Sequence, residues 1–295
     1  MNSLRTLISV DALRARIAPQ PRASDFATGP AATDTAIIDC RADLLQPTRG
    51  REWFNASHLP QAQFADLNTM LSAPAIAGQT GRHPLPEIAR FIAAAAALGI
   101  GDDTAVVCYD QGPGAYAARL WWLLRWVGHA NVAVLDGGFN AWTRSGGALE
   151  TGPATSAHSG QLHRGPTLTR TLSAGQLARM GVVLDARDAP RYRGDVEPID
   201  TKAGHIPGAI NAPYTANLTP DGVFKPRAEL LAQFAAHGAA QPAGDVAVYC
   251  GSGVTACHDI LALVHAGCVE PALYPGSFSE WITDPTRAVA TGPAP

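Results

Sequence analysis

The sequence predicts an α/β protein of two tandem domains, each built on a mainly parallel sheet that helices flank. Short apolar runs alternate with longer helix-like segments along the whole chain. Blocks of the N-terminal half recur in the same order in the C-terminal half. With 46% hydrophobic and 16% charged residues among 295 positions, the chain can bury a core for each domain.

The predicted strands are short runs of β-branched and other apolar residues. They lie at 36–39, 105–109 and 132–136 in the first half and at 181–185, 246–250 and 272–274 in the second. Helical character is concentrated at 85–99, 117–128 and 256–267. This alternation is typical of parallel strands joined by crossover helices, and ligands bind such sheets beyond the carboxyl ends of the strands. Asp110 and Cys250 both lie at such a strand end.

Four blocks of sequence are repeated between the two halves. Residues 37–43 resemble 183–189, 57–67 resemble 204–214, 105–114 resemble 246–255, and 135–142 resemble 273–281. The spacing also agrees, since Asp39 precedes His58 by 19 residues and Asp185 precedes His205 by 20. We interpret the chain as a tandem duplication. The pattern predicts domains at 1–145 and 171–295, joined by a linker at 146–170 that is rich in glycine, serine, threonine and proline.

Charge and cysteine content argue against several classes of protein. The formal net charge of −3 and the pI near 6.3 give no polyanion-binding signature, so nucleic acid is not an expected partner. The chain has no run of 18 apolar residues and no signal-peptide pattern, so we expect a cytoplasmic protein with no membrane partner. Five cysteines, an odd number in a long chain, argue against a secreted disulfide framework.

The loop that begins at Cys250 carries the clearest chemical signal. Gly251 and Gly253 permit positive φ, so the N–H groups of the loop, through Val254 and Thr255, can converge on one point. A helix predicted to begin near Val254 adds the positive end of its dipole. Because such a cradle holds a sulfur as its anion, we predict that Cys250 is a nucleophile that accepts and releases an anionic sulfur.

Three other interpretations of this loop are a buried structural cysteine, a phosphate-binding cysteine enzyme and a zinc site. The Cys-x5-Arg pattern of phosphatases and arsenate reductases needs arginine where the chain has Ala256. Zinc binding through Cys250, Cys257 and His258 lacks a second spaced pair of ligands. We therefore expect no metal, and we expect Cys257 to be a core or surface residue rather than a resolving thiol.

CGSGVTA at 250–256 resembles the active-site loop of the rhodanese superfamily, in the form typical of its 3-mercaptopyruvate sulfurtransferases. Further segments resemble family blocks, at 191–194, 204–209 and 277–281 in the second half and at 58–62 and 135–142 in the first. The resemblance extends from about Ser9 to Trp281 and implies two rhodanese-like domains. Since Asp110 stands at the position of Cys250 in the first half, and a carboxylate cannot form a persulfide, only the second domain is expected to carry sulfur.

The resemblance also implies roles for residues around the nucleophile. Ser252, with His83 and Asp66 from the first domain, matches a set that assists proton movements, which suits protonation of a leaving pyruvate enolate. Arg191 matches an arginine that holds the carboxylate of the substrate. The position of a second such arginine is Ile199 here, a departure that weakens the expected preference for mercaptopyruvate. Arg193 and Lys202 are the candidates to replace it.

Several other conspicuous residues are expected to have structural roles. Arg187 is expected to pair with an internal carboxylate such as Asp185 or Glu197. His58 and His205 stand at equivalent positions in both halves, one of which has no nucleophile, so we assign them to packing. The tryptophans of segment 119–126 are predicted on a helix at the core and between the domains. In the loop at 111–115, a proline stands where the cradle needs an amide donor.

The predicted activity is that of a sulfurtransferase. It moves sulfur from 3-mercaptopyruvate, through a persulfide on Cys250, to cyanide, a small thiol or a thioredoxin-like reductant, in a ping-pong cycle. No metal and no organic cofactor is implied. Two alternatives remain open: thiosulfate as the main donor, and a persulfide carrier that passes sulfur to a protein partner with little turnover of small donors.

Overall fold

The computed structural model describes residues 4–17, 35–154, 159–240 and 245–295. Within them, ten strands form two separate five-stranded sheets, and every strand pair is parallel. The α/β class predicted from the sequence, with a mainly parallel sheet in each half, is confirmed. The domain limits remain predictions, and residues 155–158 of the predicted linker lie outside the described residues.

The first sheet has the strand order β1-β5-β4-β2-β3. Its strands are β1 (Leu7–Ile8), β2 (Thr35–Asp39), β3 (Gln63–Phe64), β4 (Ala105–Tyr109) and β5 (Val132–Leu135). The helices of this half are α1 (Val10–Ile17), α2 (Arg49–Ala56), α3 (Ile88–Ala97), α4 (Ala115–Trp126) and α5 (Gly138–Arg144). The central strand β4 is buried along its whole length, as its unbroken apolar run requires.

The second sheet has the order β6-β10-β9-β7-β8, which repeats the order of the first. Its strands are β6 (Arg170–Thr171), β7 (Val182–Asp185), β8 (Ile210–Asn211), β9 (Val246–Tyr249) and β10 (Ala272–Leu273). The helices are α6 (Ala174–Leu177), α7 (Ala189–Arg193), α8 (Arg227–Ala236), α9 (Ala256–Ala266) and α10 (Ser277–Trp281), with a 3₁₀ turn at Tyr214–Asn217. Strands β4 and β9 therefore occupy the same central place in their sheets.

Helices α4 and α9 pack against each other between the two sheets. Both are apolar on nearly all sides, and their buried residues belong to one continuous core that includes Trp121 and Trp122 of α4 and Ile260 and Leu261 of α9. The predicted place of the tryptophans, in the core and between the domains, is confirmed. Because each of these helices follows a central strand, the packing of α4 on α9 brings the two strand-end loops toward each other.

The strands and helices predicted from apolar runs are all present, with ends that differ by three residues or fewer. The two-residue strands β1, β3, β6 and β8 were not predicted, because two residues carry no periodicity and form only where a neighbouring strand pairs with them. In the part of the chain that the structure describes, none of the helices combines the length and the apolarity that crossing a membrane would need.

Candidate active site

The predicted nucleophile lies at the carboxyl end of β9, in the centre of the second sheet. Cys250 is buried, and its Sγ accepts hydrogen bonds from the backbone N–H of Ser252 at 3.5 Å and of Gly253 at 3.1 Å. Among the described residues, no hydrogen bond joins this sulfur to the N–H of Val254 or Thr255. Helix α9 begins at Ala256 rather than near Val254, so the observed cradle consists of two amides.

The loop at Cys250 is fixed from behind by the first turn of α10. Ser277 Oγ accepts the N–H of Cys250 at 3.2 Å. The carbonyl oxygens of Cys250 and Gly251 accept the N–H groups of Phe278 and Ser279 at 2.9 and 3.0 Å. The N–H and the carbonyl group of Cys250 are therefore both held by α10, and of the described residues only the loop amides bind its sulfur.

Gly253 occupies a position that only glycine fits. Its φ is +80°, and a Cβ added there would lie 2.5 Å from the carbonyl oxygen of Pro275. A side chain would clash with this backbone atom even without the strain of left-handed φ. The glycine lets the N–H of residue 253 turn toward the sulfur, as expected from the sequence.

Ser252 and His83 meet across the boundary between the domains. The distance from Ser252 Oγ to His83 Nδ1 is 2.8 Å, and both side chains are buried. Burial, together with the nearby positive charges of Arg119 and Arg82, lowers the pKa of His83 to about 4. The ring is therefore neutral near pH 7, and it can exchange a proton with the serine hydroxyl in either direction.

Asp66, the third member of the predicted relay, is engaged in its own turn. Its Oδ1 accepts the N–H groups of Asn68 and Thr69, both at 2.9 Å, and the hydroxyl of Thr69 at 3.1 Å. In the described part of the chain, no hydrogen bond joins Asp66 to His83. The structure thus brings two of the three predicted relay residues into contact, and the role of Asp66 stays a prediction.

Two arginines lie beside Gly251, at the entrance to the cradle. A Cβ added to Gly251 would be 2.7 Å from Nη2 of Arg82 and 3.6 Å from both Nη atoms of Arg191. Arg191 comes from α7 of the second domain, whereas Arg82 precedes the relay histidine in the first. The two guanidinium groups thus face the same backbone atom from different domains.

Buried carboxylates fix both arginines. Glu197 binds Arg191 at 2.8 Å, and Asp200 contacts Arg191 through Oδ2 at 3.0 Å and Arg82 through Oδ1. Burial raises the pKa of Asp200, although the positive charge of Arg82 opposes the shift. Because one carboxylate bridges the two guanidinium groups, their mutual position is determined before any substrate arrives.

Arg82 is the residue that sequence reasoning missed. The two candidates for the missing arginine are elsewhere: Arg193 is exposed and pairs with Asp195 at 2.7 Å, and Lys202 is exposed. Ile199 lines the same groove as Arg82 and His83. The only signal for Arg82 was its place next to His83, and no local pattern indicates that a residue of the first domain reaches the second.

Two shallow grooves flank Arg82 on the surface. One, of about 300 Å³, is lined by Leu44, Leu45, Ala75, Arg82, His83 and Ile199. The other, of about 410 Å³, runs from Ile76 past Arg82 and Asp200 to Ser279 and Thr283. A small molecule can approach Arg82 from either groove and His83 from the smaller one, whose apolar rim includes the exposed Leu45.

The residues assigned to structure behave as predicted. Arg187 pairs with Asp185 at 2.6 Å and with Glu197 at 3.6 Å. His58 stacks on Phe54 and His205 on Tyr192, and each ring binds the backbone carbonyl of its stacking partner at 2.8 Å.

The second cysteine of the loop and its neighbour also have structural partners. Cys257 is buried in the core, with its thiol 3.4 Å from the carbonyl oxygen of Gly253. His258 lies between the carbonyl oxygen of Pro113 and the side chain of Asn217. Each of the two side chains thus has a hydrogen-bonding partner within the fold.

The equivalent loop of the first domain has an amide cradle that was not predicted from the sequence. Asp110 is buried, and its carboxylate accepts backbone N–H groups of Gly112, Gly114 and Tyr116 at 2.9–3.0 Å and of Ala117 at 3.4 Å. Pro113 has no N–H to donate, as expected from the sequence, and the N–H groups of Gly112 and Gly114 on either side of it bind the carboxylate instead. An anion cradle exists here, and the chain's own carboxylate fills it.

Comparison with known proteins agrees with the geometry. The family model of the rhodanese-like domain matches residues 23–145 and 168–284. A Pseudomonas aeruginosa protein named "Probable 3-mercaptopyruvate sulfurtransferase" is 48% identical over 265 residues, 88% of this chain and 93% of the relative. SseB of Mycobacterium tuberculosis is 45% identical over 88% of this chain and 92% of its own. Its name assigns it provisionally as a thiosulfate sulfurtransferase. The structure of 3-mercaptopyruvate sulfurtransferase from Leishmania major superposes with a TM-score of 0.79 at 30% identity, covering 94% of this chain and 74% of that one.

Proposed function

The chain belongs to the rhodanese-like family and is a sulfurtransferase with two such domains in tandem, and on that premise we propose that it takes sulfur from 3-mercaptopyruvate onto Cys250 and passes it to a thiol or to cyanide. Its donors and acceptors are small molecules. The match to both halves also bears out the predicted fold class.

The donor is bound through its carboxylate. Arg191 and Arg82 offer a pair of guanidinium groups beside Gly251, and their shared contact with Asp200 supports a common orientation. The family pattern has a second arginine at the position of Ile199. In this proposal Arg82 binds the carboxylate instead of that arginine. A planar fork suits the two oxygens of a carboxylate better than a point charge does.

The first half-reaction forms a persulfide. The Cys250 thiolate attacks the sulfur of mercaptopyruvate, a sulfur–sulfur bond forms, and the carbon–sulfur bond breaks with its electron pair on the enolate of pyruvate. The proton of the donor thiol is transferred to the enolate carbon, so the products are a persulfide anion and pyruvate, and no proton is gained or lost. Ser252 and the neutral ring of His83 are the proposed carriers of that proton.

The second half-reaction regenerates the thiolate. A thiolate or cyanide attacks the outer sulfur, and the sulfur–sulfur bond breaks with its electron pair on Cys250. The N–H groups of Ser252 and Gly253, which bind Sγ here, are the proposed support for the sulfur anion at both stages. The result is covalent ping-pong catalysis.

The observation that carries the choice of donor is the 2.8 Å contact between Ser252 and His83. A pyruvate enolate must be protonated at carbon, whereas sulfite leaves thiosulfate as a stable anion and requires no proton there. A proton relay from His83 of the first domain to Ser252, two residues after Cys250, is therefore needed only when mercaptopyruvate is the donor. Thiosulfate remains the second candidate, since the same arginines can bind its oxygens.

The test compares kcat/KM for 3-mercaptopyruvate and for thiosulfate, with cyanide as acceptor. We expect a higher value for mercaptopyruvate. A higher value for thiosulfate would contradict the proposed donor, and negligible turnover of both would favour a persulfide carrier.

Arg82→Met tests the arginine pair, with Arg193→Met as the matched control because Arg193 is exposed and pairs only with Asp195 among its described partners. Loss of a charged hydrogen-bonding partner is expected to raise the KM for mercaptopyruvate about tenfold or more, on the scale of 1.5–3 kcal/mol for such a bond. The control should keep the wild-type KM. Equal KM values in the two variants would exclude Arg82 from the binding site.

A further inference from the structure

A second arginine of the first domain reaches the active-site loop from inside the protein. Arg119, in the middle of α4, is fully buried. Its Nη1 donates to the carbonyl oxygen of Gly253 at 3.0 Å. Its other nitrogens donate to the carbonyl oxygens of Leu71 at 3.3 Å, His83 at 3.2 Å and Pro84 at 3.5 Å.

The carbonyls that Arg119 contacts belong to the two halves of the candidate site. Gly253 supplies the N–H group that lies 3.1 Å from the sulfur of Cys250. His83 supplies the ring that contacts Ser252. One guanidinium group therefore binds the carbonyl groups of Gly253 and of His83, although the two residues belong to different domains.

The charge of Arg119 has no carboxylate partner among the described residues, where its nitrogens donate to neutral carbonyl oxygens and contact the Cys257 thiol. A buried cation without a counter-ion is costly. The other charged or ionisable groups near it are Arg82 and His83 from the first domain and the sulfur atoms of Cys257 and Cys250 from the second. Burial raises the pKa of the Cys257 thiol to about 12, so this thiol stays protonated near pH 7, and Cys250 is the one of these groups whose anion the proposed reaction uses.

We propose that Arg119 is a positioning residue that aligns the cradle with the relay across the domain boundary, and that its buried charge is the counter-charge of the sulfur anion on Cys250. The inference rests on the proposed function of Cys250 as the sulfur carrier. It gives the first domain, which has no nucleophile, a direct part in the chemistry of the second. The cost of burying the cation is then offset whenever Cys250 carries a negative charge, as thiolate or as persulfide.

Three variants separate alignment, charge and simple stability. Arg119→Lys keeps the charge. Because all three N–H donors of an ammonium group are on one nitrogen, lysine cannot bind the carbonyl oxygens of Gly253 and His83 at the same time. Arg119→Met removes the charge and keeps the length of the side chain. Arg125→Met is the matched control, because Arg125 lies on the same helix and pairs across the domain boundary with Glu270, away from the active site.

Two readouts are measured for each variant: kcat and KM for mercaptopyruvate, and the rate at which iodoacetamide alkylates Cys250, followed by peptide mapping from pH 6 to pH 9. For Arg119→Met we expect alkylation at neutral pH to slow about tenfold and to recover at high pH, since loss of a nearby opposite charge disfavours the anion on this scale. For Arg119→Lys we expect alkylation close to wild type and a kcat about tenfold lower with little change in KM. The Arg125→Met control should match wild type in both readouts.

A wild-type kcat in Arg119→Lys would overturn the alignment role, and a wild-type alkylation profile in Arg119→Met would overturn the counter-charge. If Arg119→Met does not fold, the counter-charge role is tested with Arg119→Lys, which keeps the positive charge. Its alkylation should then follow the wild-type pH profile, and a profile displaced to higher pH would contradict the counter-charge role. If the wild-type protein turns over neither donor, the proposed function fails, and the alkylation profiles still decide whether Arg119 supports the anion of Cys250.

Discussion

The loops that follow β4 and β9 have the same backbone frame and different contents. In the first, the carbonyl oxygens of Asp110 and Gln111 accept the N–H groups of Phe139 and Asn140 at 2.9 and 3.0 Å. In the second, those of Cys250 and Gly251 accept the equivalent N–H groups of α10 at the same distances. The frame alone therefore does not distinguish an active loop from an inactive one.

The difference lies in the anion at the centre of each loop. Asp110 uses four backbone N–H groups for its own carboxylate, which leaves none for a ligand. The sulfur of Cys250 takes two and lies beside the arginine pair. A permanent carboxylate makes the cradle a structural element, whereas a sulfur, which can be anionic and can form a new bond, makes it reactive.

The two loops also differ in how the opposite domain covers them. His258 donates to the carbonyl oxygen of Pro113 at 2.8 Å and stacks on Phe224, which packs 3.5 Å from the Cβ position of Gly114. The loop of Cys250 receives His83 and Arg82 instead, with grooves open beside them. The first domain, which has a carboxylate at the position of Cys250, thus contributes side chains to the site of the second domain while its own loop is covered.

Replacing Cys250, the proposed nucleophile, should have the largest effect on this contrast. We expect Cys250→Ser to abolish sulfur transfer from both donors, because a serine hydroxyl cannot form a persulfide. Steady-state assays with cyanide as acceptor measure it, and Cys268→Ser, at a half-exposed thiol away from the loop, serves as the control that keeps activity. Substantial turnover by Cys250→Ser would mean that the sulfur is carried elsewhere.

Removing the relay hydroxyl should have the next largest effect. Ser252→Ala is expected to slow the mercaptopyruvate reaction on the order of 100-fold, the usual scale of general acid–base help. Its effect on thiosulfate should be much smaller, since sulfite leaves without a proton. An equal decrease with both donors would show that Ser252 only shapes the cradle, and the relay through His83 and Asp66 would have to be dropped.

The pH dependence of the relay should depart from that of an exposed histidine. Because burial and two arginines lower the pKa of His83 to about 4, its ring stays neutral as the pH falls from 7 to 5 and becomes protonated only below that range. We expect the imidazole signals of His83, followed by NMR during an acid titration, to shift near pH 4. A midpoint near the ordinary value of about 6.5 would show that the ring is solvated and that the relay geometry is not maintained.

A change at Asp110 should affect stability and leave catalysis almost unchanged. In Asp110→Asn, one of the two acceptor atoms becomes a donor, so some of the four N–H groups lose their partner at a cost of about 1–3 kcal/mol each. We expect a loss of about 2–4 kcal/mol in the free energy of unfolding, measured by denaturant titration, with kcat within about twofold of wild type. Asp284→Asn, at a surface turn, is the control and should leave the free energy of unfolding close to that of the wild type. An unchanged stability would mean that the carboxylate does not hold the loop.

The features that follow from local pattern were predictable from the sequence. The strands β4 and β9 are continuous apolar runs, and Gly253 is required by a left-handed turn and a close backbone contact, so its position carries direct information. The repeat placed Asp110 opposite Cys250 without any knowledge of the fold.

What the sequence did not reveal depends on contacts between distant segments. Arg82 and Arg119 look like a loop residue and a helix residue of the first domain, and only the packing of the two domains brings them to Gly251 and Gly253. The amide cradle around Asp110 was missed because a proline removes one donor locally, while the turn geometry that recruits the flanking donors has no sequence signature. The hydrogen bonds of Asp66 show the same limit, since a motif match does not reveal which partner a carboxylate chooses.

The most direct test of the contrast is to count sulfur atoms on the protein. Wild-type protein and Asp110→Cys, which places a thiol in the first cradle, are treated with 3-mercaptopyruvate without acceptor and examined by intact-mass spectrometry and peptide mapping. We predict one added sulfur per chain in both proteins, on the peptide that contains Cys250, because position 110 is fully buried and covered by the second domain. Two added sulfurs in Asp110→Cys, or a sulfur on Cys40, Cys108, Cys257 or Cys268 of the wild type, would contradict the assignment of sulfur transfer to the second loop alone.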